Sequence, residues 1–596
     1  MVANKTSTKH CSNEVRGERL EVKGKSIEVK KIFRNIALAL CWFPTLLWAS
    51  NDTVYVVGGI QHDGLIPTID VGRPLPEWAK MHYLSNSYLD LGVRWDHQSG
   101  NEERVSGIGF QGLELITRAE LTEWPMLGYD TQFGGYGLSH LHVGANFSWG
   151  KITVGDIYGQ FGSGMVLRLY EDRALGVDNA LRGGKVEINP YKGIYFTALG
   201  GKQRRYWNCY TDGAWGWNYK QDAVLGANLE LGLQEWIPQL QEAGANLTIG
   251  GSYVSKYQQK DTIIFNTVIQ PEGKYDYYYN LPAWVGAGSV RAQLQMNGWN
   301  AMVEYAYKAN DPTILNDYSY KHGEALLLSL SYSKKGMAIM AQAKRSSNMS
   351  FRSDRASNNM AGTINHMPPF ATQHTYMLAA LYPYGTHKTA DEWAFQGEIR
   401  YTWKRGTAMG GKYGTTLKLN ASHIRGTGEK WFGMSEVPYY TDVNLELNKK
   451  INKQWYIGAM AMYQTYNKQV VEGHGDLIRS GIGVIEAKYA TTKNVQMRAE
   501  LQYLYTKQDE GQWVAALYEL SLWRKLVLSG QWMYNIGYAH EATNEHYYTV
   551  AATYTHGAHR VMAGYTKTRE GFNCSGGVCR YVPKQEGVSI TYNFTW

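Results

Sequence analysis

The densest run of chemistry-bearing side chains lies between Gln160 and Gly184, where Arg168, Glu171, Asp172, Arg173, Asp178 and Arg182 crowd together. Their charges do not alternate with period two, as they would along a strand, so the run reads as a loop following the strand-like Ile152–Tyr158. Two roles fit it. Guanidinium and carboxylate groups could form a constriction or substrate site inside an enclosed passage, or a structural ion-pair network could fill a wide interior. The run is not a phosphate loop, because GxxxxGK[ST] is missing. His140 and His142 share one strand face with Ser148 nearby. A lone His-Xaa-His is a weak metal signal, and solvated polar side chains are the plainer reading. Neither a Gly-Xaa-Ser-Xaa-Gly elbow nor a His-Glu-Xaa-Xaa-His helix occurs. A hydrolase would need one Ser and one His on neighbouring strands, which spacing alone does not reveal. The expectation is a non-enzyme with no catalytic residues, metal site or cofactor.

The cysteines point to a staple. In Cys574-Ser-Gly-Gly-Val-Cys579 the Ser-Gly-Gly stretch can turn tightly enough to bring two Cβ atoms within disulfide range. The alternative is two free thiols. Cys209 has no further partner once Cys11 and Cys41 are set aside in a leader. CxxC spacing for a metal is absent.

The elements that must position these groups are strands. In the last ten residues Val588, Ile590, Tyr592, Phe594 and Trp596 alternate with Gly587, Ser589, Thr591, Asn593 and Thr595. Period-two alternation marks a strand with one apolar face. It recurs at Val495–Tyr505, where Gln496, Arg498, Glu500 and Gln502 interleave, and around Val443–Leu447, Phe395–Trp403, Leu417–Ala421 and Leu89–Trp95. The segments run to about ten residues with aromatics at their ends, the length and interfacial girdles of a strand crossing a bilayer at a tilt. Short connections at Arg524-Lys525, 449–453 and His556-Gly557-Ala558-His559 interleave with long ones at 467–479, 506–512 and 569–586. That asymmetry is the barrel convention. The expected fold is all-β: a single large antiparallel transmembrane β-barrel of about 24 strands, within 22–26, carrying a lumenal or inward-folded loop. The strand bookkeeping slips between 346 and 440, where Ser346–Gln373 is too irregular to assign.

Composition agrees. Aromatic residues make up 13%, with 45 Tyr and 20 Trp among 596 residues, while mean hydropathy is −0.40. Lipid-facing and lumen-facing residues alternate and cancel in such an average. No run of about 18 apolar residues follows residue 50, which excludes a bundle of membrane helices. The net charge of +8 is uneven. Residues 1–50 hold nine Lys/Arg and four Asp/Glu, leaving 51 basic and 48 acidic groups elsewhere. So balanced a chain has no electrostatic footprint for nucleic acid.

Residues 1–50 read as an extension plus signal peptide. Lys30-Lys31-Ile32-Phe33-Arg34 is a basic n-region, Ile36–Leu47 an apolar h-region, and Trp48-Ala49-Ser50 a cleavage site. The polar residues 1–28 before it suggest a true start at Val29. Residues 51–86 are expected as a short extension and 87–596 as the barrel.

Bacterial outer-membrane barrels resemble the final strand: theirs carries the same alternation and a terminal aromatic that the barrel-assembly machinery reads, here the Tyr592, Phe594 and Trp596 face. Asp156-Ile-Tyr-Gly-Gln-Phe-Gly-Ser-Gly through Asp178-Asn-Ala-Leu-Arg-Gly, Gly410-Gly-Lys-Tyr-Gly-Thr415, and Cys574-Ser-Gly-Gly-Val-Cys-Arg-Tyr-Val-Pro583 together resemble a family of large Gram-negative outer-membrane proteins catalogued as a domain of unknown function. The resemblance implies fold and compartment and imports no activity. It implies an outer-membrane location, with lipid and the assembly machinery as partners and the C-terminus in the periplasm. Two functions are expected to compete: a channel or transporter for small polar solutes, warranted by the two-signed face of Glu304, Lys308, Glu398, Arg400, Arg498 and Glu500, and a non-transporting subunit of an outer-membrane assembly or secretion complex, with protein or lipoprotein partners.

Overall fold

The computed structural model describes residues 53–68, 83–97, 109–122, 124–129, 134–204, 223–270, 273–357, 362–385, 391–491, 493–537, 544–575 and 578–596. The leader, Val29 and Cys209 lie outside these residues. Twenty-four antiparallel strands, each paired with its chain neighbour, form one sheet. The sheet closes because the first strand, Thr53–Pro67, pairs with the last, Gln585–Thr595, from Gly59↔Thr595 to Pro67↔Gly587. Closure removes both sheet edges, the only arrangement that leaves no strand backbone unpaired in a bilayer. The reading of 51–86 as an extension is thereby corrected, since residues 53–67 are wall. Gly58-Gly59 and Asp63-Gly64 interrupt the apolar alternation there, and the pattern hid a strand whose place is set by its two partners.

The alternation has the physical meaning expected of it. Along Val495–Tyr505, Leu501 is 67% exposed whereas its neighbours Glu500 and Gln502 are buried toward the interior. Ile485, Val443 and Leu445 likewise face outward. Exposed aromatics ring both ends of the wall: Tyr191, Trp299, Trp455 and Trp523 at one, Tyr136, Trp284, Tyr307 and Tyr505 at the other. At about 3.3 Å per residue and a tilt of about 40°, ten-residue strands set these girdles about 25 Å apart.

The two ends differ. At the end that carries Trp596 the connections include tight turns such as Asn297-Gly298, whose φ values of 50° and 85° suit a two-residue hairpin. At the opposite end lie the long segments 158–180 and 348–391 and the hairpin Gly571–Ser575/Val578–Val582. Since lipid faces the outer surface, replacing Leu501 with Arg is expected to lower stability by about 2–4 kcal/mol, measured by denaturant unfolding of the barrel in lipid vesicles.

Candidate functional site

The two long segments fold back into the barrel and meet there. Segment 158–180 makes two small hairpins, Gly159–Phe161 with Leu167–Leu169 and Glu171–Asp172 with Val177–Asp178. Gly162 permits the first turn with φ +53°, and a Cβ on it would lie 2.5 Å from the Glu304 carboxylate. Segment 348–391 has almost no regular structure among its described residues. Its backbone pairs with the first hairpin through Arg168 N to Ile364 O at 2.8 Å and His366 N to Gly164 O at 2.9 Å. Two buried asparagines rivet the segments together. Asn179 Nδ2 donates to Arg168 O and Thr363 O, at 2.8 and 3.0 Å. Asn365 Nδ2 donates to Met165 O and Met349 O, at 2.9 and 2.7 Å. Buried irregular backbone needs such partners, because each unpaired group costs about 1–3 kcal/mol.

The pair is anchored by inward side chains on two separate arcs of the wall, which places it in the lumen. On one side three buried lysines, at the loop ends of alternate strands, donate to plug carbonyls: Lys256 to Arg352 O, Lys308 to Ser350 O and Lys344 to Pro368 O, at 2.5–2.6 Å. Asp311 and Glu392 balance their charge, with Lys256–Asp311 at 2.7 Å and Lys344–Glu392 at 2.5 Å. On the other side His374 meets Asp442 at 2.6 Å, Gln464 donates to Tyr382 O at 3.0 Å, and the Leu378 N–H donates to Gln502 at 2.9 Å. Between these arcs one apolar cluster runs through Phe161, Leu167, Phe351, Ile364, Leu378 and Tyr382 to wall residues such as Val254, Ala306, Met462 and Trp513. The disulfide Cys574–Cys579 is formed. Its hairpin lies over the plug, with Val578 packed on Leu175 and Val177 and Arg580 over the Tyr129 ring.

The charged run, read either as a passage lining or as an ion-pair network, is largely engaged in ion pairs. Arg173 holds Asp90 at 2.7 Å and Glu171 at 2.8 Å. Arg118 from the wall holds the same two carboxylates, both at 2.7 Å. Asp178 is bound by Arg204, which also holds Glu120 at 2.8 Å. Burial alone would raise the Asp178 carboxyl, but Arg204 and Arg118 outweigh it and hold it below its usual value. Glu171 is pushed up by burial against the pull of Arg118. Arg182 stands in the wall on Asp156 at 2.5 Å. Arg168 lies apart, over the Tyr170 ring at 4.5 Å, and Asp172 accepts the Leu175 N–H to close a turn. His140 stacks on Tyr158, while His142 pairs with Glu114 at 2.6 Å. The described residues hold no group of three or more metal-ligating side chains.

Toward the turn end the inward side chains are charged: half-buried Arg498 on buried Glu486 and on Glu519, half-buried Lys418 on Glu446 and Glu398, and exposed Arg400. On the plug side of these charges, the Tyr376 hydroxyl donates to Glu486 at 3.4 Å. Sequence reasoning missed the anchoring Lys256 and Lys344, the rivets Asn179 and Asn365, and the His374–Asp442 contact. One signal was present: a connection of over forty residues without alternation is uncommon in a compact domain and marks a segment with a job.

Wall, girdles and occupied lumen together define an outer-membrane-type β-barrel that holds two of its own loops inside. The chain belongs to a family described as a family of unknown function (DUF6029), which matches residues 29–596. No curated protein matches it. Among solved structures, the P pilus usher PapC translocation pore is 8% identical with a TM-score of 0.38, covering 91% of this chain and 99% of its own. The copper transporter OprC is 11% identical at 0.39, covering 92% and 81%. Pseudomonas aeruginosa OccK3 (OpdO) is 12% identical at 0.35, covering 80% and 96%.

Two outcomes follow from the plug. Arg204→Ala strips the buried Asp178 and Glu120 of their shared cation, and is expected to cost about 3–5 kcal/mol in denaturant unfolding of the folded barrel. His366, in the plug, is held neutral by burial and by the nearby Arg168 and Lys344 cations, its pKa lowered to about 3. A freed His366 takes up a proton near pH 6.5, so docking weakens as pH falls from about 6.5 toward 3. Protease cleavage within 348–391 should rise across that range, and His366→Gln should flatten the rise.

Proposed function

We propose that this chain is an outer-membrane barrel that rests closed and passes small polar solutes only when its internal plug moves. The observation that carries the reading is a barrel interior occupied by two loop segments, each tethered at both ends to wall strands, with charged inward side chains on their turn side. Ser346 and Glu392 pair directly across adjacent strands, so the intervening segment can leave without opening the wall. Docking is a difference between large terms. Each buried apolar side chain contributes about 1.5–3 kcal/mol, while ordering long segments costs about 1–2 kcal/mol per residue. A partner or ligand supplying a few kcal/mol can therefore shift it. By the barrel convention the turn end and Trp596 face the periplasm and the long loops face outward. Lipid covers the apolar belt, and the barrel-assembly machinery reads the Tyr592, Phe594 and Trp596 strand.

A second reading, a non-transporting subunit of an outer-membrane assembly or secretion complex, is favoured by the ion pairs and apolar packing that saturate the plug. Planar-bilayer recording separates the two. The intact protein is expected to be nearly silent, and a variant with 349–385 replaced by a short Gly-Ser link to conduct steadily. A large steady conductance from the intact protein would overturn the closed resting state. A silent deletion variant that co-purifies with stoichiometric partners in mild detergent would favour the second reading.

A further inference from the structure

Between the plug and the disulfide hairpin, on the loop side, the structure leaves a cavity of about 280 Å³. The plug supplies Pro369, His374 and Pro383, the wall Tyr440, and the hairpin Phe572 and Asn573. Among the described residues, no Asp, Glu, Lys or Arg lines it. The Tyr384 hydroxyl is already spent on Glu392 and that of Tyr440 on Asp442 at 3.4 Å. These two rings lie 5.4 Å apart and offer the cavity their apolar surfaces rather than their hydroxyls. The imidazole of His374 is fixed by Asp442 through Nε2, which leaves Nδ1 for a ligand. Thr372 and Asn573 add a hydroxyl and an amide. Asn573 is exposed, so its amide reaches an entering molecule at no cost in buried polarity.

We infer that this cavity is a binding site for a neutral, polyhydroxylated solute of one-ring size, such as a monosaccharide. Three features converge on that chemistry. An uncharged lining gives an ionic ligand no counter-charge to replace its lost water. Aromatic and proline surfaces suit the C–H face of a sugar ring, while imidazole, amide and hydroxyl groups match its hydroxyls at separated points. The volume falls at the small end of ligand pockets, which run to about 300–1,000 Å³, so one ring fits and a chain does not. The site also joins two elements: Gln373 of the plug donates to Cys574 O of the hairpin at 2.6 Å. Ligand bound there touches both, and the site stands whether or not the barrel conducts.

Isothermal titration of the detergent-folded full chain with glucose, mannose and N-acetylglucosamine tests this, with gluconate and indole as charged and apolar probes. At least one neutral sugar is expected to bind, with gluconate about tenfold weaker or more. Asn573→Ala and Phe572→Ala should each weaken sugar binding about three- to tenfold without altering the heat-dependent gel migration of the folded barrel. Absence of binding by all three sugars overturns the inference, and so does binding indifferent to both substitutions. Binding of indole in place of sugars overturns the polyhydroxylated assignment.

Discussion

In a bilayer a strand has no water to satisfy its amides, so every backbone group in the wall must pair with another strand. The rest of this molecule depends on that constraint. It forces Thr53–Pro67 to meet Gln585–Thr595 across the whole chain length, and it fixes a closed sheet of 24 strands. A wall that long encloses far more space than its own side chains can fill. The interior must then hold either water or more chain, and here the loop half holds chain.

Filling the lumen with irregular backbone creates the reverse problem, since buried loop carbonyls and amides need partners. The solution is uneven in type but consistent in logic. Lysines on one arc of the wall, a histidine–aspartate contact and glutamines on another, and two internal asparagines supply donors and acceptors where no ladder can form. Asp311 and Glu392 keep the buried lysine charges compensated, as an unpaired ammonium in such a place would be far costlier than a neutral group. The same economy explains why the charged run 168–182 is mostly engaged with wall residues, leaving few of its charges for passing solutes.

The fold was largely legible in the chain itself. Val588–Trp596 and Val495–Tyr505 show their two faces without any structure, because a strand's side chains alternate by covalent geometry alone. Tight turns at Asn297-Gly298 and Gly557 are equally local. The first strand was not legible: its glycines blur the alternation, and its membership rests on neighbours hundreds of residues away. The Cys574–Cys579 bridge could be read because a five-residue separation leaves the chain little choice. Of the plug, only the inward fold of 160–184 was anticipated, and Ser346–Gln373 merely stood out as irregular.

Sequence by itself determined the periodic and local properties: a strand-built chain, an apolar outer face and a stapled hairpin. Tertiary structure alone decided what the lumen contains. Lys256, Lys308 and Lys344 look like ordinary strand lysines until closure brings them level on one wall and the segment 348–391 lays its carbonyls across them. The roles of Asn365, His374 and Asp442 arise in the same way. Each depends on which arc of the wall a loop reaches, a distance in space that period-two spacing does not encode.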